Sequence, residues 1–268
     1  MSDNRTTDLD HLGFRKYMPA PSLADYIESY WFMNVRCEPG SVFSELLHPD
    51  GGMGFVFNYG SPLKFDDELL MGGAFLNGPC NQSMCLTMAD KINAVGIRFK
   101  PAGAHHFMAM PLNELKNSFI PCADKKLCNL NDYFYNETND LKKVQAIDSV
   151  MFTLFATEKQ VSSLTLKALT IVKQHKGMLE INKLASLLDA NQRKLERVFK
   201  LHIGVSPAEY SSVIKISHAR TRLKNSVYAL SDISFDLGFY DQAHFSRQFK
   251  SVVGISPGAY RQQAQLKR

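Results

Sequence analysis

The chain has 268 residues, of which 45% are hydrophobic and 21% charged, and its formal net charge is +5. That length suits two domains, and neither a signal peptide nor an apolar run of membrane-spanning length is legible in it, so a cytoplasmic protein is expected. Its five cysteines, Cys37, Cys80, Cys85, Cys122 and Cys128, are odd in number and make no C-x2-C pair, which speaks against a secreted disulfide framework.

From the N-terminus, the segments 41–47, 53–59 and 93–99 are short, rich in Val, Ile and Phe, and bounded by Gly, Pro or Asn, which predicts strands. Gly51-Gly52, Gly72-Gly73 and prolines 39, 49, 62, 79, 101 and 111 punctuate them as turns, the pattern of a barrel or sandwich. Helical spacing is read over 23–31, 102–110 and 141–155. The last of these carries Leu141, Val144, Ile147, Met151 and Leu154 on one stripe, which suits either a dimer interface or packing on the barrel.

The aromatics Tyr17, Tyr26, Tyr30, Trp31, Phe55, Phe57, Tyr59 and Phe99 are expected mostly in the core. Trp31, whose indole amide needs a partner if buried, and Arg98, a cation inside an apolar strand, are the two candidates for contact with an effector. For Arg98 an internal salt bridge is the favoured expectation. His105 and His106 are adjacent, His48 has no second ligand nearby, and no H-x-H or H-E-x-x-H pattern occurs, so no metal or other cofactor is expected.

Residues 156–163 read as a linker, with a domain boundary between 158 and 159. Beyond it the charge inverts: residues 161–268 carry 17 Lys+Arg against 7 Asp+Glu, net +10, while 1–160 carry 14 against 19, net −5. Such asymmetry points to a polyanion partner for the C-terminal half alone.

That half contains one unit twice. Phe199-Lys200-x3-Gly204-x-Ser206-Pro207-x2-Tyr210 recurs fifty residues on as Phe249-Lys250-x3-Gly254-x-Ser256-Pro257-x2-Tyr260. A helix ends at a glycine able to turn left-handed, a serine caps the next helix, and proline fits its first turn. Each copy follows a helix-turn-helix pattern. In the first, Ile181, Leu184, Ala185 and Leu188 are spaced helically, Asp189-Ala190 breaks the helix, and Asn191 caps a second with Leu195, Val198 and Phe199 inward. In the second, Ser231 is expected to cap a helix carrying Ile233 and Leu237, Gly238-Phe239 turns, and Asp241 opens a helix with Phe245 and Phe249 inward.

The second helices then expose Asn191, Gln192, Arg193, Lys194, Glu196, Arg197 and Lys200 in copy one, and Gln242, Ala243, His244, Ser246, Arg247 and Lys250 in copy two. A polar, arginine-bearing helix held by a tight turn fits a major groove of duplex DNA. Arg193, Glu196, Ala243 and His244 are expected base-facing positions; Arg197 and Arg247 are placed to contact either a guanine edge or the backbone, and at least one of them is expected to read a base. A bridging helix over 207–224, with Ala208, Val213, Ile216, Ala219 and Leu223 as its apolar stripe, would span roughly 27 Å, which places the two units about one DNA turn apart.

Residues 164–262 resemble the DNA-binding domain of AraC/XylS-type transcription regulators. The matching positions are Leu184-Ala185, Leu195, Arg197, Phe199-Lys200, Gly204, Ser206-Pro207 and Tyr210, then Ile233, Gly238-Phe239, Asp241, Phe245, Arg247, Phe249-Lys250, Gly254, Ser256-Pro257 and Tyr260-Arg261. Asp189 stands where a turn glycine is usual, and Ser234 where alanine is. Tyr17-Met18-Pro19, Tyr30-Trp31, His48-Pro49-Asp50-Gly51, residues 55–58 and Gly96-Ile97-Arg98-Phe99-x-Pro101-x-Gly103 resemble the N-terminal domain of a subset of these regulators.

The resemblance implies an α+β chain: a β-rich, barrel-like (cupin-like) domain with flanking helices over 1–158, then an all-α domain of two helix-turn-helix units joined by a long helix over 159–268. It implies a non-enzymatic regulator of promoter DNA, more in keeping with activation than repression. Its implied partners are a small-molecule effector in the N-terminal domain, a second copy of the chain and, for an activator, RNA polymerase, with no membrane. The alternative is an enzyme or thiol-based sensor that uses an N-terminal cysteine and is tethered to DNA.

Overall fold

The computed structural model describes residues 13–36, 38, 40–108, 110–156, 159–225 and 228–266. Cys37, Pro39 and the two residues flanking the expected 158/159 boundary lie on or beside positions outside that set.

The N-terminal domain is two antiparallel sheets and a helical layer. One sheet has the order β1 (Arg15–Tyr17), β2 (Ile27–Arg36), β9 (Lys91–Phe99), β4 (Gly54–Asn58), β7 (Gly73–Asn77), β10 (Phe119–Pro121). The other runs β3 (Val42–Leu47), β8 (Met84–Ala89), β5 (Leu63–Phe65), β6 (Glu68–Leu70). The period of two divides side chains cleanly. Phe55, Phe57, Val95, Ile97 and Phe99 face the helical layer, whereas Val56, Ala94 and Ile92 face the second sheet. With both faces covered, β4 is buried at all five positions.

Helices α1 (Lys125–Asn136) and α2 (Asp140–Leu154) form the layer together with short turns of 3-10 helix at Gly103–His106 and Leu112–Leu115. Ile147 and Met151 are wholly buried, Val144 and Leu154 pack beside them, and Leu141 is 62% exposed. The α2 stripe therefore packs on the six-stranded sheet, and the expected barrel is realised as two facing open sheets. Asp148 fixes its angle by accepting from Tyr30 Oη at 2.7 Å and the Ala20 amide at 3.1 Å.

Two helical expectations give way. Over 23–31 only Pro21–Leu23 is helical, as one 3-10 turn; Ile27 onward is strand. Leu23, Ile27 and Tyr30 mimic helical spacing, but the β-branched and aromatic run pairs along its length with β9, with a bulge between Ile27 and Ser29. Over 102–110 only Gly103–His106 is helical, and Ala109 lies outside the described residues. The strands β5, β6, β7 and β8 were not legible as separate elements.

The C-terminal domain comprises α3 (Ser163–Gln174), α4 (Ile181–Leu187), α5 (Gln192–His202), α6 (Pro207–Asn225), α7 (Leu230–Asp236), α8 (Gln242–Val253) and α9 (Pro257–Leu266). It has two cores. Leu184, Leu195, Phe199 and Tyr210 centre the first; Ile233, Phe245, Phe249 and Val253 centre the second. The bridging helix α6 serves both, with Tyr210 in the first and Ile216, Ala219 and Leu223 in the second. Ala208, expected in its apolar stripe, is exposed instead, because Pro207 and Tyr210 take the inward face of the first turn.

Candidate nucleic-acid interface

The second helix of each unit is built by its cap. Asn191 Oδ1 accepts from the Lys194 amide at 2.8 Å, and Asp241 Oδ1 accepts from the His244 amide at 2.6 Å. The turn before α5 holds Asp189 at φ +47°, and the turn before α8 holds Gly238 at φ +64°. Aspartate thus takes the left-handed geometry that glycine takes in the sister unit. Behind the helices, Gly204 and Gly254 both sit at φ +89°, and Ser206 and Ser256 cap α6 and α9 through the amides of Glu209 and Ala259.

One cap was misread. Ala229 precedes α7 and supplies no side-chain bond; Ser231 lies within the first turn, its hydroxyl directed to Asp232. The helix begins earlier because Leu230 packs against the second core.

Leu195, Val198, Phe199 and His202 anchor α5 inward, as Phe245, Phe249, Val252 and Val253 anchor α8. The opposite faces expose Asn191, Gln192, Arg193, Lys194, Arg197 and Lys200, and Gln242, Ala243, His244, Arg247 and Lys250; Glu196 and Ser246 are half-buried. Arg197 and Arg247 occupy equivalent outward positions. The helix α6, 19 residues and about 28 Å long, bridges the units. Lys215 on α6 ties the second unit down, its ammonium 3.8 Å from the centre of the Phe239 ring.

The N-terminal domain touches both units through residues that sequence reasoning missed. Glu209 Oε2 accepts from the Ser206 amide at 2.8 Å, closing a capping box, while Oε1 accepts from Asn81 Nδ2 at 2.7 Å and from Lys116. Burial alone would raise the Glu209 carboxyl; its bonds with Lys116 and Ser206 outweigh that and bring it down to about 2. The S-x-x-E spacing was a legible sign of the cap, but nothing local signalled Lys116. In the second unit, the Ser83 amide donates to Val252 O at 2.6 Å and the His48 ring lies 5.8 Å from that of Tyr260. His202, at the end of α5, bonds Thr165 at 2.8 Å and meets His105 ring to ring at 4.6 Å; burial lowers its pKa to about 4.

Of the two effector candidates, Arg98 pairs with Asp50. Trp31 is half-buried and lies flat over its cross-strand partner Gly96, where a Cβ would come within 1.9 Å of the indole. Burial pushes the Cys80 thiol up to about 11 and raises that of Cys122, which opposes thiolate chemistry at either. Among the described residues no cluster of His, Cys, Asp or Glu has metal-site geometry.

Residues 184–263 match the family described as "Helix-turn-helix domain", and residues 15–121 match "Domain of unknown function (DUF6597)". The chain carries an AraC-family DNA-binding domain at its C-terminus. An "Uncharacterized HTH-type transcriptional regulator" of Haemophilus influenzae is 30% identical over 98 residues, 37% of this chain and 33% of its own. The "HTH-type transcriptional activator RhaR" of Yersinia pseudotuberculosis is 35% identical over 71 residues, 26% of this chain and 24% of its own. The matched regions thus span a third or less of these curated relatives. A solved structure of ToxT from Vibrio cholerae aligns over 87% of this chain and 97% of its own, with 15% identity and a TM-score of 0.47. Within the AraC-type domain, the family match begins at Leu184 and so takes in both turn-and-cap assemblies.

Proposed function

We propose that the protein is a cytoplasmic transcription activator that reads promoter DNA through α5 and α8 in two successive major grooves. The observation that carries this reading is the pair of like units, each presenting a capped, polar, arginine-bearing helix, joined by one rigid helix. The length of that helix, about 28 Å, approaches the roughly 34 Å of one DNA turn. Activation is supported by the name of the Yersinia relative, a transcriptional activator, and as an activator the protein would have RNA polymerase as a partner. The division of labour falls near 158/159: the basic C-terminal domain binds DNA, and the acidic N-terminal domain modulates it by holding an effector and by pairing with a second copy.

Footprinting of the full-length protein on genomic DNA tests the reading directly: protected sites should contain two half-sites about 10 base pairs apart. If about five to eight phosphates are neutralised, the log–log slope of affinity against salt should be roughly −4 to −7. A slope near zero, or protection of a single half-site, overturns it.

A further inference from the structure

A cavity of about 280 Å³ lies between the two sheets of the N-terminal domain. Its walls are apolar, with Trp31, Val56, Phe65, Met84 and Phe119 among them, and its polar groups are His48, Asp50, Asn77, Cys80 and Arg98. Resting on the regulator reading above, we propose that this cavity binds a compact monocarboxylate with an apolar body, and that its carboxylate takes Arg98 in place of Asp50.

Size sets the first limit. The volume is at the lower edge of small-molecule sites, which run from roughly 300 to 1,000 Å³, so the occupant is short and compact rather than long-chained.

Charge sets the second. Arg98 is the lone lysine or arginine among the lining residues. In an apolar enclosure that charge must always be matched. Its present match, Asp50, has a side chain 50% exposed, against 22% for Arg98. The exchange is therefore asymmetric: Asp50 returns to water at little cost, while a ligand carboxylate keeps the guanidinium paired in a planar, two-bond geometry. A cationic ligand would have to take Asp50 and strand Arg98. A dianion would leave one negative charge unmatched in an apolar box.

The position of Asp50 supplies the regulation. It belongs to the segment 48–52, which reaches both DNA-binding units. Gly51 packs so closely on Tyr210 that a Cβ there would lie 2.3 Å from the ring. His48 faces Tyr260 and bonds Ser83 at 2.7 Å, and Ser83 in turn holds the end of α8. Releasing Asp50 from Arg98 loosens the segment that steadies both units at once, so the ligand changes the affinity of the full chain for DNA.

Trp31 is the single tryptophan of the chain and lines the cavity, so its fluorescence reports occupancy without background. The full-length protein is titrated with hydrocinnamate, cyclohexanecarboxylate and hexanoate, and with the neutral hydrocinnamamide. At least one acid should change Trp31 emission saturably, and hydrocinnamate should bind at least about tenfold more tightly than its amide. Arg98→Met should erase the acid preference, whereas Arg98→Lys, which keeps the charge, should retain part of it. Silence of Trp31 toward all three acids, or an amide as tight as its acid, overturns the proposal. A mobility shift on the same samples separates the two readings. DNA binding without any Trp31 response sinks the ligand and leaves the regulator standing; a carboxylate response without DNA binding does the reverse.

Discussion

Glu209 is where the two domains and the local fold meet in one side chain, and its removal should be felt in both. Its carboxylate closes the capping box of α6 with Ser206 and accepts from Lys116 and Asn81 of the N-terminal domain. A carboxyl brought from 4.5 down to about 2 corresponds to a gross interaction of roughly 3 kcal/mol. The side chain is 29% exposed, so solvent screening reduces this to roughly 1–2 kcal/mol. Glu209→Gln keeps an acceptor but loses the charge, and should lower stability by about that amount, or roughly 3–6 °C in melting temperature. The sign of the pH dependence follows from the depressed pKa. The contribution is complete above the unfolded value of 4.5 and is lost as pH falls from there through about 2, so wild type and Glu209→Gln should converge toward pH 2. A double-mutant cycle with Lys116→Met should return a coupling of about 1 kcal/mol. Strictly additive effects would mean that the contact between Glu209 and Lys116 is energetically idle.

Both glycines at φ +89° should resist side chains, but unequally. Gly254→Ala meets nothing within 4 Å and should cost only the backbone strain of about 1–2 kcal/mol, whereas a Cβ at Gly204 would lie 2.3 Å from Pro79 and 2.7 Å from the Leu112 carbonyl. Thermal melts should therefore rank Gly204→Ala well below Gly254→Ala; equal values would refute the packing of this turn on the N-terminal domain. Arg197→Ala or Arg247→Ala should weaken binding to the footprinted site by about 1–3 kcal/mol, with less loss on scrambled DNA, as read by mobility shift. Ser234 is 2% exposed and its hydroxyl has no hydrogen-bond partner, so Ser234→Ala should leave denaturation unchanged or raise stability by up to about 1 kcal/mol. A clear loss would reveal a bond at that hydroxyl.

Local mechanics were the legible part of this chain. Caps at Asn191 and Asp241, left-handed turns at Gly204 and Gly254, and the inward apolar stripes all act within a few residues, so spacing alone exposed them. The stretch 23–31 misled for the complementary reason: its strand is dictated by β9, more than sixty residues away, and a spacing of four then three residues between apolar positions is ambiguous until that partner is known. The same holds for Arg98. Its need for an anion was readable, but whether Asp50 or a ligand supplies it depends on where a distant loop falls.

The internal repeat sharpens that division, because it compares one sequence with itself. Positions identical in the two copies, such as Phe199 and Phe249, or Ser206 and Ser256, do the same local work in each. The contacts that differ between the copies mark where a unit meets something outside itself. Glu209 reaches Lys116 and Asn81, while its counterpart Ala259 has no side chain with which to reach the N-terminal domain. Tyr210 is fully buried beneath Gly51, while Tyr260 remains half-buried beside His48 and takes a bond from Arg220 at 3.3 Å. The first unit is thus the one clamped by the N-terminal domain and the second the one leaning on it. Any signal passed from the N-terminal domain to DNA should therefore change the grip on the first unit's half-site differently from the second's. Footprints at graded protein concentration resolve this: loss of the Glu209 clamp should alter protection over one half-site before the other, and uniform change across both would refute an unequal coupling.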